Sequence, residues 1–158
     1  MKKTYYTRKN FACRRSLGYL IKRLHNLVIP VAESLFADAD ITFSQWVVLV
    51  SLRDGLASTA AGIARHMGHD AGAITRLIDQ MEKRGLIART RSTEDRRVIH
   101  LEITPAGKAL AASLTPRLMD FWNETLQGFT QAEFDMLLSL LTRLLGRLEE
   151  QPAPEKAS

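Results

Sequence analysis

The order of elements between Ile74 and Gly107 constrains the fold of this chain more than any other feature. Apolar residues at helical spacing precede Gly85, and two segments that alternate apolar and polar residues, 86–91 and 98–103, then flank a turn rich in arginine. A new helix is predicted to open at Thr104, with Pro105 in its first turn. Helix, β-hairpin, helix is the plan of a winged helix-turn-helix, so we predict a mainly α fold with a small β-hairpin wing.

Two helices are predicted to precede this unit. Apolar residues recur every three or four positions between Leu17 and Leu35, which predicts one long helix over about 10–37. Pro30 lies inside it and lacks a backbone donor, so we expect a kink near residues 26–30 or two abutting helices. A second helix, capped by Thr42 or Ser44, follows.

Two shorter helices come next. Ser58 or Thr59 can cap the third helix, and Asp70 is a good N-cap for the fourth. Small residues at 71–73 would let the first turn of the fourth helix approach DNA bases closely, as a helix-turn-helix requires. An ordinary helical hairpin is the alternative.

The C-terminal part of the chain predicts two more long helices. The fifth runs from Thr104 to about residue 126 unless Pro116 divides it, and Thr130 with Glu133 forms a capping box for the sixth. A compact winged helix does not need such amphipathic helices at both ends, so we expect them to form a dimer interface. We therefore predict one domain over 1–158, made of a winged helix-turn-helix over 42–103, dimerisation helices over 10–37 and 104–150, and a disordered tail over 151–158.

Basic residues cluster in two regions of a chain whose net charge is +5. Residues 1–25 contain eight Lys or Arg and no acid, and residues 83–97 contain six basic residues against two acids. The second cluster falls on the predicted wing, where it would neutralise DNA phosphates. A basic face that only meets solvent is the alternative.

Other functional classes find little support in the sequence. No long uncharged apolar run and no signal-peptide pattern occurs, so we expect a cytoplasmic protein without a membrane partner. His66 and His69 lack the further ligands of a zinc site, and there is neither a nucleophile–base arrangement nor a phosphate-binding glycine loop. We therefore predict no metal, no cofactor and no enzymatic activity.

The residues of the fourth helix and the wing resemble the MarR family of bacterial regulators. The likeness covers about residues 17–150 and is strongest where ITRLIDQMEKRGLIART precedes the Asp95-Arg96-Arg97 turn and LEITPAG. It implies a homodimer on a pseudo-palindromic operator, with Asp95 holding the wing, Arg97 in the minor groove, and Thr75 and Arg76 on the recognition helix. An arginine at a loop tip suits a narrow minor groove. The full set of predicted DNA-binding residues is His69, Gly72, Thr75, Arg76, Lys83, Arg89, Arg91, Asp95, Arg96 and Arg97.

The resemblance also implies that a small aromatic or phenolic acid releases the protein from DNA. Such a ligand needs apolar walls and one cation for its acid group. We predict a pocket between the first two helices and the reading head, which we define as residues 42–103. Its predicted residues are Arg15, Tyr19, Arg23, His25, Phe43 and Trp46. Alternatively, these aromatic side chains belong to the core and these cations touch phosphate.

Two other functions remain open at this stage. Cys13 is the only cysteine and stands beside Arg14 and Arg15, which would favour a reactive thiolate and an oxidant-sensing regulator. Its position differs from that of the reactive cysteine in the oxidant-sensing branch, which falls nearer Gly18. A winged helix that binds other proteins, with no DNA partner, is the alternative from a different class.

Overall fold

The computed structural model describes residues 3–151. The chain divides into two compact units, one up to Leu118 and one from Met119, with the boundary inside the fifth helix. The elements are α1 (Leu17–Leu35), α2 (Phe43–Arg53), α3 (Ala60–Met67), α4 (Ala71–Lys83), β1 (Ile87–Arg91), β2 (Ile99–Ile103), α5 (Pro105–Thr125) and α6 (Gln131–Glu149). Mainly helical with one two-stranded hairpin, the fold confirms the predicted class.

Helix α1 begins at Leu17, so the predicted start near residue 10 is wrong. The backbone before it forms a short 3₁₀ turn at Cys13–Arg15. The hydroxyl of Tyr6 accepts a hydrogen bond from the backbone N–H of Leu17 at 3.0 Å, and the Ser16 side chain caps the N–H of Tyr19. These two acceptors satisfy donors of the first turn, which explains why the helix starts there.

Both internal prolines lie within continuous helices, Pro30 in α1 and Pro116 in α5. A helical proline deprives the carbonyl four residues earlier of its partner. Those carbonyls belong to Asn26 and Ala112, which are exposed, as are the prolines. Water can therefore satisfy the carbonyls, and neither the alternative of two abutting helices in α1 nor a division of α5 at Pro116 occurs.

Side-chain caps set the starts of the three helices of the reading head. Thr42 forms a capping box with Gln45 at α2, Thr59 caps α3, and the Asp70 carboxylate accepts the backbone N–H groups of Gly72 and Ala73 at 2.9 and 3.1 Å. Gly85 takes the left-handed conformation that ends α4, with φ of +69°.

The wing is an antiparallel hairpin that pairs Ile87 with Ile103 and Arg91 with Ile99. Thr104 joins it to α5, since its hydroxyl donates to the carbonyl of Gly85 at 2.7 Å and accepts the N–H of Gly107 at 3.1 Å. Gly107 packs tightly there, and a Cβ on it would lie 2.1 Å from the carbonyl oxygen of Leu86. The corner between α4 and β1 is thus held by the start of α5.

The core of the first unit lies between these helices and the hairpin. Its fully buried side chains come from every element around it, and the largest are Phe36, Leu49, Ile63, Ile74, Ile78, Met81, Ile87 and Leu114. The inward stripe of α4, predicted from helical spacing, supplies three of them. Burial of this stripe leaves the opposite face of α4 in solvent.

The second unit contains the end of α5 and all of α6. The predicted capping box is present, as Thr130 accepts the N–H of Glu133 and donates to its carboxylate. Helix α6 has no buried residue, and six of its leucines are 39–55% exposed: Leu137, Leu138, Leu140, Leu141, Leu145 and Leu148. Residues 152–158 of the expected tail lie outside the described residues. Among the described helices, none is long and apolar enough to cross a membrane.

Candidate nucleic-acid interface

The outward face of α4 presents the side chains predicted to contact bases. Gly72, Thr75 and Arg76 are exposed on it, and the Thr75 hydroxyl donates to the carbonyl of Ala71 at 2.9 Å. His69 is exposed just before the helix, with its Nδ1 2.7 Å from the carbonyl of Met67. Because a carbonyl only accepts, Nδ1 is the donor of this hydrogen bond.

The tip of the wing is a closed turn built around Asp95. Its Oδ1 accepts the backbone N–H of Arg97 at 2.9 Å and the Nε–H of the same residue at 3.3 Å, while its own N–H donates to the Ser92 hydroxyl. The backbone of Val98 donates to the Asp95 carbonyl at 2.9 Å. The Arg97 side chain is nevertheless 92% exposed. The turn thus fixes the backbone of Arg97 and leaves its guanidinium accessible.

Arg89 connects the wing to the recognition helix. Its guanidinium donates to Asp79 at 2.5 Å and also to Glu82, both on α4. The hydrogen bond to Asp79 raises the pKa of Arg89, and the two carboxylates add to the shift. Sequence reasoning placed Arg89 among the DNA-binding residues and missed both acids, although acids three residues apart on the outward face were a readable signal.

The remaining predicted contacts lie at the edges of the same surface. Lys83 closes the last turn of α4, Arg91 ends β1, and Arg96 stands in the turn of the wing. All three are exposed. The structure therefore places the ten predicted DNA-binding residues on α4, the turn before it and the hairpin. Nine of them are exposed and do not contact Asp79 and Glu82, the acid pair that engages Arg89.

Comparisons with known proteins agree with this geometry. A family model described as MarR family matches residues 41–99, which span the reading head. The multiple antibiotic resistance protein MarR of Salmonella typhimurium is 28% identical over 130 residues, covering 82% of this chain and 90% of the relative. A MarR mutant of E. coli solved in complex with operator DNA is 26% identical, with a TM-score of 0.70 over 82% of this chain and 93% of that one.

These matches support a MarR-type winged helix. The chain is accordingly a DNA-binding transcriptional regulator. A second solved structure, of BpsR from Bordetella bronchiseptica, is described as showing regulation of DNA binding by 6-hydroxynicotinic acid. It is 25% identical, with a TM-score of 0.72 over 85% of this chain and 96% of that one.

The structure brings together only part of the predicted ligand pocket. Phe43 and Trp46 stack with ring centroids 5.8 Å apart, and both pack on Phe36. The indole N–H of Trp46 donates to the carbonyl of Ala111 at 3.4 Å. The other four predicted residues are exposed along the N-terminal segment and α1: Arg15, Tyr19, Arg23 and His25.

An open cleft of about 580 Å³ lies elsewhere, between the connection from α1 to α2 and the end of α4. Its polar wall includes Glu33, Gln45, Gln80, Lys83 and Arg84. None of the six predicted ligand-binding residues lines it. Sequence reasoning missed this cleft because it forms between segments far apart in the chain.

Cys13 is exposed in the 3₁₀ turn before α1. Among residues 3–151, no group of three or more histidine, cysteine or acidic side chains could hold a metal ion.

Proposed function

We propose that this protein is a sequence-specific, homodimeric repressor that binds a pseudo-palindromic operator and leaves it when a small aromatic acid binds. The observation that carries the DNA part is the wing tip. Asp95 shapes the loop before DNA is present, and the exposed Arg97 guanidinium is free to enter a narrow minor groove. A dimer seated on a promoter would block transcription by occupying the site.

In the proposed complex, α4 enters the major groove. Gly72 lets the backbone approach the bases, and Thr75 and Arg76 contact base edges. Phosphate contacts come from residues around this face: His69, Lys83, Arg91 and Arg96. Arg89 contributes by holding β1 against α4. Half-sites would then lie about 34–36 Å apart, one helical turn of DNA.

The proposal of a homodimer rests on two apolar helix faces. The first is on α1, where Leu17, Leu20, Ile21, Leu24 and Leu27 are 41–59% exposed. The second consists of the α6 leucines described above. Contiguous apolar surface of this kind marks an interaction site, and a second copy of the chain would cover both faces symmetrically.

The effector proposal is supported by the aromatic cluster and by the neighbouring structures. Phe43 and Trp46 offer apolar ring surface beside α1, and Tyr19 could complete a wall if the partner copy closes the site. Arg15, Arg23 or His25 would then neutralise the acid group. Regulation of BpsR by 6-hydroxynicotinic acid supports an aromatic acid as the ligand class.

Selection of duplexes from a random pool, followed by gel shifts, tests the DNA part of the proposal. We expect a palindromic consensus and a steep loss of affinity between about 50 and 200 mM salt. Arg97→Ala should weaken binding with little change in thermal stability, whereas Arg147→Ala, an equal loss of charge on α6, should bind like wild type. Thr75→Ala or Arg76→Ala should relax base preference by about 1–3 kcal/mol at one position. Equal affinity of wild type and Arg97→Ala would remove the wing from the mechanism.

Separate measurements test the dimer and the effector. Truncation after Gly128 removes α6 and should yield monomers in light scattering, and a dimeric truncated protein would refute the role of α6. Titration with salicylate and related acids should lower operator affinity and change tryptophan fluorescence. Unchanged operator affinity at saturating acid would refute the effector proposal.

A further inference from the structure

Arg117 on α5 makes a long-range clamp to the connection between α1 and α2. Its Nη1 donates to the carbonyl of Leu35 at 2.7 Å, and its two terminal nitrogens engage both carboxylate oxygens of Asp38, with Nη2 3.0 Å from Oδ2. The partners are 79 and 82 residues away in sequence. One side chain thus joins the end of α1 and the connection after it to α5.

The chemistry of this contact requires arginine. Leu35 ends α1, so its carbonyl has no partner within the helix, and Arg117 supplies one. Only a guanidinium can also meet a carboxylate with two parallel bonds in the same plane, because a lysine ammonium is a single point charge. The bond from Arg117 also keeps the pKa of Asp38 below its ordinary value.

A second ion pair on the same connection is much looser. Asp40 lies 3.6 Å from Arg84, beyond hydrogen-bond distance, and its side chain is 98% exposed. Exposed pairs without a hydrogen bond contribute little to stability. Of the two ion pairs on the connection, that of Asp38 is hydrogen-bonded to Arg117 through both carboxylate oxygens, and Asp40 provides a matched control two residues away.

We propose that Arg117 and Asp38 are positioning residues for operator recognition: their clamp holds the connection that leads into the reading head at one orientation on α5. The inference rests on the proposed homodimer. If α5 and α6 carry the dimer, the direction of α5 at the clamp helps to set the separation of the two recognition helices. Without the clamp, only a fraction of dimers would have the spacing that fits two half-sites, and the apparent affinity would fall to that fraction of its full value.

The test compares two duplexes derived from the sequence that wild type selects from a random pool. One carries both half-sites, and the other keeps one half-site and scrambles the second. We expect Arg117→Ala to lose about tenfold in affinity for the full operator, as when a tenth of the dimers are competent. Affinity for the single half-site should stay within about twofold of wild type, because the clamp touches no DNA-facing residue. Arg117→Lys and Asp38→Asn should show smaller losses in the same direction, and Asp40→Asn should match wild type.

A purely structural role predicts a different pattern. If Arg117 only stabilised the fold, its variants would lose affinity for both duplexes equally, and this result would overturn the proposal. Asp38→Asn, which keeps the shape of the side chain, decides the question if Arg117→Ala fails to fold. An added base pair between the half-sites should lower the affinity of the clamp variants less than it lowers the affinity of wild type. An equal loss for the variants and wild type would also overturn the proposal. Failure of the homodimer proposal would be seen in wild type itself, as equal affinity for the two duplexes, and would overturn the clamp's role with it.

Discussion

The contact between Gly107 and the corner after α4 makes a quantitative prediction. Adding one methyl group, Gly107→Ala, would place a Cβ 2.1 Å from the Leu86 carbonyl oxygen and 3.0 Å from Cγ1 of Ile103, where ordinary contact begins at 3.4 Å. The Leu86 carbonyl must then move, and it accepts the backbone N–H of Thr104 at 3.1 Å. The substitution therefore disturbs both packing and a backbone hydrogen bond.

The expected cost follows from these two effects. Overpacking costs about 1–3 kcal/mol, and a lost hydrogen bond costs about 0.5–1.5 kcal/mol. Replacing a helical glycine by alanine returns up to about 1 kcal/mol. We expect Gly107→Ala to lower the free energy of unfolding by about 2 kcal/mol. Gly146→Ala is the matched control, because Gly146 is helical and its Cβ would meet nothing within 4 Å, so it should gain about 0.5–1 kcal/mol.

Urea unfolding at one fixed protein concentration provides the measurement, because a dimer's stability depends on concentration. A loss of about 2 kcal/mol moves the midpoint down by about 1 M urea at an ordinary slope. Midpoints for Gly107→Ala at or above that of wild type would show that the corner has room for a methyl group. The account of the junction among α4, β1 and α5 would then be wrong.

Three further predictions concern charge and the thiol. The bond from Arg117 lowers the pKa of Asp38, and the backbone N–H of Thr130 lowers the pKa of Glu133. The stability that these bonds give the folded state is therefore fully present above the ordinary pKa values of 3.8 and 4.5, and it is lost as pH falls through the lower values of the folded state. Acid titration of unfolding should therefore be less steep for Asp38→Asn than for wild type, and equal slopes would contradict this. Arg89→Ala should reduce duplex affinity in gel shifts more than Arg91→Ala, because it also leaves two carboxylates of α4 unpaired near phosphate; equal effects would show that the acid pair is irrelevant. Cys13→Ser should bind the operator and respond to aromatic acids like wild type, whereas loss of peroxide-triggered release in that variant alone would assign the thiol a sensing role.

Local signals in the sequence predicted most of the fold. Thr59, Asp70 and Thr130 cap helices as expected, and the hairpin lies within one residue of its predicted bounds. Caps, left-handed glycines and alternation act over a few residues, so a single sequence carries them. The predicted start of α1 was wrong because the local cap, Ser16, was missed, and the second acceptor at this end, the Tyr6 hydroxyl, stands 11 residues before Leu17 in the chain.

Pairings between distant segments were not predictable in the same way. Nothing near Arg117 indicates Asp38, and although the acids on the outward face of α4 were readable, nothing near them indicates that β1 brings Arg89 beside Asp79. The same limit applies to the ligand pocket. Phe43 and Trp46 are three residues apart on one helix, but their packing on Phe36 and the bond to Ala111 depend on how α1 and α5 meet that helix.

The carboxylate that caps α4 also limits how this helix can meet a duplex. Helix N-termini ordinarily attract phosphate through their free N–H groups and dipole. Here Asp70 occupies the N–H groups of Gly72 and Ala73 and places a negative charge at that end. In the proposed complex, these capped N–H groups would therefore not bind a phosphate, and the DNA backbone would meet the basic side chains around α4 and on the wing instead. One aspartate would then both start the helix and remove its N–H groups from the contacts with DNA.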